Sequence, residues 1–149
     1  AAARAGGDDA RPVVLVVDDF PLSRRLLARV LEPAGFQVVE AGTIAEAERT
    51  LATATPAAIV VDLNLPDGDG LELVSHCRDR RRTAACAIVA CSASDRGDET
   101  AAAIRAGADA YVLKPVDTRR FAALIAELVA RRRSGAASAP QPLEPCSPA

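Results

Sequence analysis

Four short runs of apolar residues, none of them alternating with polar ones, constrain the fold more than any other feature of this chain. They occupy residues 13–17 (VVLVV), 57–61 (AAIVV), 87–91 (AIVAC) and 110–113 (AYVL). A strand with no polar face must be covered on both sides, which is the situation of a strand inside a parallel sheet flanked by helices. A fifth run, Phe36-Gln37-Val38-Val39-Glu40, is mixed and suits the edge of such a sheet.

The intervals between the runs carry helical periodicity and stop signals. Pro21 stands at a first helical position, and Leu22, Leu26 and Val30, with Leu27 and Leu31, form an i, i+4 stripe that ends near Pro33 and Gly35. Thr43 and Glu46 make a capping box ahead of Ile44, Ala47 and Leu51, and Pro56 closes that helix. A third helix carries Leu71, Val74 and Cys77 and runs into the basic stretch 78–82, read as a solvated helix end whose cations favour the helix dipole. An Ala-rich helix from about Asp98 ends at Gly107, a C′ glycine. Asp117 or Thr118 caps the last helix, whose apolar face is Phe121, Leu124, Ile125, Leu128 and Val129. Strands alternating with helices through short connections predict an α/β fold, a doubly wound parallel sheet of five strands with helices on both faces.

Residues 1–11 are small, polar and charged and read as a flexible lead-in; residues 12–133 form the domain; residues 134–149, mostly Ala, Ser and Pro, read as a disordered tail or linker. A net charge of −2 gives no general attraction to nucleic acid or to an anionic membrane, and no apolar run approaches a membrane span. With no apolar signal segment near the start, a cytoplasmic setting is expected. The absence of Met predicts a processed chain or a piece of a longer one. Cys77, Cys86 and Cys91 read as small buried hydrophobes and Cys146 as a tail thiol, since no CxxC spacing or nearby ligating His pairs with them. His76, the lone histidine, reads as a surface residue of the third helix.

Parallel strands all end on one edge of their sheet, where α/β proteins place their chemistry. Here that edge receives Asp18 and Asp19, Asp62, Ser92 and Lys114. Carboxylates a few ångströms apart repel by about 4 kcal/mol per pair at an effective dielectric near 20, so a hard divalent cation, Mg²⁺ above all, is the natural counter-charge. A Ca²⁺-binding EF-hand loop beginning at Asp62 fails, because Pro66 and Asp67 stand where a ligand and the turn Gly belong, and Leu73 replaces the bidentate Glu. With a metal, a carboxylate, a hydroxyl and an ammonium converging, the chemistry indicated is phosphoryl transfer to Asp62. Lys114 is the only lysine among 18 basic residues, which argues for a position that demands a compact ammonium rather than a guanidinium.

The marks Val17-Asp18-Asp19, Asp62-Leu63-Asn64-Leu65-Pro66-Asp67-Gly68-Asp69-Gly70, Ser92-Ala93, Gly107-Ala108-Asp109-Ala110-Tyr111 and Lys114-Pro115, in this order and each at a strand end, resemble the receiver domain of two-component response regulators. The resemblance runs from about Pro12 to Arg133 and implies the flavodoxin-like fold of the chemotaxis regulator, with strand order 2-1-3-4-5. It implies that Asp62 accepts phosphate from a phosphohistidine on a histidine kinase or histidine phosphotransfer protein. Asp19 and Asp62 would bind Mg²⁺ directly, with the backbone carbonyl of Asn64 as a third ligand and Asp18 acting through water. Ser92 would bond one phosphoryl oxygen and Lys114 another, across a cis Lys114–Pro115 bond. Tyr111 falls at the switch aromatic, turning inward as Ser92 moves to the phosphate. The face made by the fourth helix, fifth strand and fifth helix would then change its preference for an output domain or protein. Ser92 stands where Thr is commoner, and Asn64 and Ser94 flank the site.

The resemblance thus implies a signalling domain that catalyses only its own phosphorylation and dephosphorylation, with no direct contact to nucleic acid or membrane. A pseudo-receiver, keeping the fold as a phosphorylation-independent interaction module, is the alternative; the retention of Asp18, Asp19, Asp62 and Lys114 argues against it. A haloacid-dehalogenase-type phosphatase would need an acid two residues after its nucleophile, where this chain has Asn64.

Overall fold

The apolar runs become the strands of one parallel sheet: β1 (Val13–Val17), β2 (Gln37–Ala41), β3 (Ala58–Asp62), β4 (Ala87–Ser92) and β5 (Ala110–Leu113). They lie in the order β2-β1-β3-β4-β5. The helices α1 (Pro21–Leu31), α2 (Ile44–Thr53), α3 (Gly70–Asp79), α4 (Gly97–Ala106) and α5 (Thr118–Arg133) connect them. This computed structural model describes residues 11–93, 97–134 and 141–143. The lead-in 1–10, Ser94 and Cys146 lie outside the described residues.

Alternate residues of each strand enter two separate cores. Leu15, Val17, Ile59, Val61, Ile88 and Ala90 face α2, α3 and α4, where they meet Ala47, Leu51, Leu73, Val74 and Cys77. Val14, Val16, Val60, Val89 and Val112 face α1 and α5, against Leu27, Leu31, Phe121, Ile125 and Leu128. The absence of polar alternation in the four apolar runs therefore has a direct cause: β1, β3, β4 and β5 are buried on both faces, whereas the mixed β2 keeps Glu40 exposed, and a fully buried Val, Leu or Ile contributes about 1.5–3 kcal/mol.

The structure departs from the sequence expectation in three places. Gln141–Leu143, within the stretch read as a disordered tail, forms a sixth parallel strand, β6, beside β5. In α1 the buried row is Leu27, Ala28 and Leu31, while Leu22 and Leu26 of the expected stripe are exposed, together with Phe20. A helix lying on a sheet buries one row of side chains, and two overlapping i, i+4 rows competed for that role here. Arg78, read as part of a solvated basic run, is instead largely buried; its guanidinium donates to the carbonyls of Gly107, Ala84 and Cys86 and to Asp109. Cys77, Cys86 and Cys91 are buried free thiols, and burial pushes Cys77 up to about 11 and Cys86 and Cys91 to about 12.

The remaining helix starts follow the sequence. Thr43 caps α2 by accepting from the Glu46 N–H, while the Glu46 carboxylate accepts from the Gly42 N–H, one residue before the N–H that the return bond of a capping box takes. Asp117 caps α5 by accepting from the Arg119 N–H. Gly107 ends α4 with φ +124°, a backbone conformation that favours glycine. Among the described residues no helix is long and apolar enough to cross a membrane.

Candidate functional site

Strand register brings the site together. Val17 of β1 pairs with Val61 of β3, so the next residues in the chain, Asp18 and Asp62, leave the sheet at the same level. Asp62 pairs with Cys91 of β4, whose next residue is Ser92, and Ser92 pairs with Leu113 of β5, whose next residue is Lys114. Backbone bonds extend the ladder to this edge: Asp18 N–H donates to the Ala41 carbonyl, Leu63 N–H to the Cys91 carbonyl and Lys114 N–H to the Ser92 carbonyl. Neighbouring strands thus deliver two carboxylates, a hydroxyl and an ammonium to one place.

The ammonium of Lys114 lies between the acids, 2.8 Å from Asp18 Oδ2 and 3.0 Å from Asp62 Oδ2. Carboxylate oxygens of Asp18, Asp19 and Asp62 all fall within 4.8 Å of one another; Asp18 and Asp62 are buried and Asp19 is exposed. The donor set is hard oxygen only, with one solvent-facing member, which fits a divalent cation that keeps waters and takes a phosphate oxygen. Asn64 sits just outside; its N–H donates to Asp62 Oδ1 at 3.0 Å and its side chain is exposed. It begins a small hairpin in which Asn64–Leu65 pairs with Gly68–Asp69. Gly70 comes next because nothing larger fits: a Cβ there would lie 2.6 Å from the Asp62 carbonyl oxygen and 2.7 Å from Leu63 Cα.

The two buried acids differ in character. Burial pushes both upward, but for Asp18 the Lys114 ammonium, the Phe20 N–H and Ser23 outweigh it, and its carboxyl stays below the usual range. For Asp62 burial wins over the Asn64 N–H and Lys114, and the Asp18 charge adds to the rise. Asp62 is therefore the more basic carboxylate, the one suited to share electrons with an electrophile, while Asp18 remains ionised as a fixed counter-charge. Lys114 is held above its ordinary value because its two carboxylate partners outweigh the cost of its burial.

Ser92 and Tyr111 are also at the site, both buried. Tyr111 points into the molecule in this structure. Their hydroxyls share an acceptor absent from the sequence expectation: Glu99 Oε1 on α4, 2.7 Å from Ser92 Oγ and 2.8 Å from the Tyr111 hydroxyl oxygen. Other unanticipated residues hold the frame. Arg24 donates to the Asp18 carbonyl at 2.6 Å and to Glu40 at 3.1 Å, and Asp67 accepts from the Ile44 and Ala45 N–H groups at the start of α2. The only sequence signal for Glu99 was an acid in the first turn of the helix after Ser92, which the helix dipole alone would explain. The Lys114–Pro115 peptide is cis.

A groove of about 510 Å³ opens beside these groups, lined by Asp19, Asn64, Pro66, Asp69, Leu71 and Glu99. It gives a ligand access to the exposed side of the acidic cluster.

Known proteins share this fold. Residues 14–126 match the family model described as "Response regulator receiver domain". Over 130 residues the chain is 40% identical to the KDP operon transcriptional regulatory protein KdpE of Escherichia coli (strain K12), covering 87% of this chain and 56% of that protein. The chain thus spans little more than half the length of that relative. The CheY-like response regulator receiver domain protein of Methanospirillum hungatei JF-1 superposes with a TM-score of 0.79 at 25% identity, over 85% of this chain and 99% of its own. A response regulator from Burkholderia pseudomallei, crystallised with a phosphorylated aspartic acid, calcium ion and citrate, superposes with a TM-score of 0.71 at 26% identity, over 85% of this chain and 73% of its own.

Proposed function

The chain belongs to the receiver domain family of two-component response regulators, and on that footing we propose that it takes a phosphoryl group from a phosphohistidine onto Asp62. One observation carries the reading: the carboxylate that burial raises above its ordinary value lies 3.0 Å from the only lysine, inside a cluster of three acids. An oxygen of Asp62 attacks phosphorus; the P–O bond forms as the P–N bond breaks, and the imidazole leaves with the electron pair and takes up a proton. Lys114, freed from one of its carboxylates by the transfer, meets the charge that develops on the phosphoryl oxygens. Hydrolysis reverses the modification when water attacks phosphorus, releasing phosphate and restoring the carboxylate.

Asp18, Asp19 and Asp62, with the Asn64 carbonyl, would hold Mg²⁺, which when bound offsets the repulsion among the acids and between them and the incoming phosphate. The Burkholderia protein, with its phosphorylated aspartic acid and calcium ion, supports the reading that this fold takes both a phosphoryl group and a hard cation. The domain would catalyse only its own phosphorylation and dephosphorylation. Its phosphodonor would be a histidine kinase or histidine phosphotransfer protein in the cytoplasm. Its output would go through α4, β5 and α5 to an attached domain or separate protein, without direct contact to nucleic acid by the receiver itself.

Incubation with Mg²⁺ and acetyl phosphate, followed by intact-mass measurement, tests this. Wild type should gain one phosphoryl group and Asp62→Ala none; an undiminished adduct in the variant would overturn the assignment.

A further inference from the structure

We propose that Glu99 is a positioning residue for the phosphoryl transfer: its carboxylate holds the Ser92 and Tyr111 hydroxyls away from the phosphoryl position and so limits how readily Asp62 is phosphorylated. The inference rests on the phosphoryl-acceptor reading of Asp62. Its basis is the shared acceptor, Glu99 Oε1, at 2.7 Å from Ser92 Oγ and 2.8 Å from the Tyr111 hydroxyl oxygen.

A hydroxyl has a single proton to donate. While Ser92 donates it to Glu99, it has none for a phosphoryl oxygen on Asp62, one strand away in the sheet. A hydrogen bond to a carboxylate is among the stronger ones, so the phosphoryl group must compete with a good acceptor for this donor. When Ser92 turns to the phosphoryl group, Glu99 loses one of these two partners, and the bond to Tyr111 is left to change with it. Glu99 is thus the physical link between the hydroxyl at the site and the aromatic residue on β5. It also lines the groove that opens onto the acids, so its charge faces the approach of an anionic phosphodonor.

These two actions of Glu99, tether and charge, are separable. Glu99→Gln removes the charge and replaces a charge-assisted acceptor by a weaker one. Glu99→Asp keeps the charge but withdraws the acceptor by one methylene. If Glu99 acts by holding Ser92, both variants phosphorylate faster with acetyl phosphate and Mg²⁺, Glu99→Gln by about tenfold, a typical effect of releasing a hydrogen bond to a charged group. The gain disappears when each is combined with Ser92→Ala, because no hydroxyl remains to release. A merely structural contribution of Glu99 would not depend on Ser92 in this way.

Tyr111 supplies a second readout, since it is the only tyrosine and the chain has no tryptophan. Beryllofluoride with Mg²⁺ should alter the tyrosine fluorescence of wild type as the shared acceptor loses Ser92, and Glu99→Gln should start from the altered signal and respond little. Wild-type rates in both variants, slower phosphorylation, or an equal gain in the Ser92→Ala background would overturn the tether. An unchanged Tyr111 signal in a wild-type protein that has taken up beryllofluoride would do the same. Failure of wild type to take up either phosphoryl group or beryllofluoride would instead remove the Asp62 reading, and this inference with it.

Discussion

At the scale of single residues, Asp62 is poised at a cost to the fold. Its pKa is raised in the folded chain, chiefly by burial, so at neutral pH the ionised side chain opposes folding in the absence of metal. Replacing it with Asn keeps the shape and leaves Lys114 paired with Asp18. Asp62→Asn should therefore melt above wild type at neutral pH without divalent cation. The sign with pH is set by the raised value. The difference is full above the folded pKa, narrows as wild-type Asp62 takes up its proton, and closes below the ordinary value of 3.8. Melting curves across that range check it; a gap that widened on acidification would contradict the raised pKa. Mg²⁺ should stabilise wild type more than the variant. The residues at the strand ends were legible in the sequence because parallel register alone gathers Asp18, Asp62, Ser92 and Lys114. Glu99 and Arg24 were not, since their reach depends on how α4 and α1 are rotated on the sheet, and an acid or arginine in a first helical turn has many solvated alternatives.

At the scale of elements, the end of the molecule away from the acids is fastened by one side chain. Arg78 on α3 ties the carbonyls of Ala84 and Cys86, just before β4, to the Gly107 carbonyl that ends α4. It also pairs with Asp109, which accepts from the Ile88 N–H and pairs with Arg132 of α5. Arg78→Ala would take this donor from three partly buried carbonyls, and about 2–4 kcal/mol of stability should be lost, measurable by denaturant unfolding. Arg82→Ala, whose guanidinium reaches only the exposed carbonyl of Ala52 among the described contacts, should cost under about 1 kcal/mol. Equal losses for the two would show that the basic run is a solvated face after all. Composition could not distinguish them: the arginines of the run look alike until α3 is laid on the sheet and only the first faces inward. The exposed Leu22 and Leu26 reflect the same blindness, because periodicity finds a helix more surely than it finds which of two adjacent rows is buried.

At the scale of the whole molecule, the parallel sheet does not stop at β5. β6 pairs Gln141, Pro142 and Leu143 with Ala110, Tyr111 and Val112. A proline within a strand fits at a sheet edge, where its missing N–H removes no bond to a further neighbour. A composition of Ala, Ser and Pro gave no apolar run to mark this strand. The energetics of so short a strand are nearly balanced. Each residue ordered costs about 1–2 kcal/mol of chain entropy, whereas each hydrogen bond returns a net contribution of roughly 0.5–1.5 kcal/mol. β6 should therefore open locally far more often than the domain unfolds, and its loss should barely move the melting temperature. Its signature lies in amide exchange. In the full chain, the β5 amides directed away from β4 should be protected, but only weakly. In a chain ending at Ser134 they should exchange roughly tenfold faster, the effect of losing about 1.4 kcal/mol of protection. Amides of β3, paired on both sides by β1 and β4, should be unaffected by the truncation. If the β5 amides exchange identically in both chains, β6 is not formed in solution and the sheet ends at β5; if the truncation also accelerates β3, the tail supports the whole fold and not one edge.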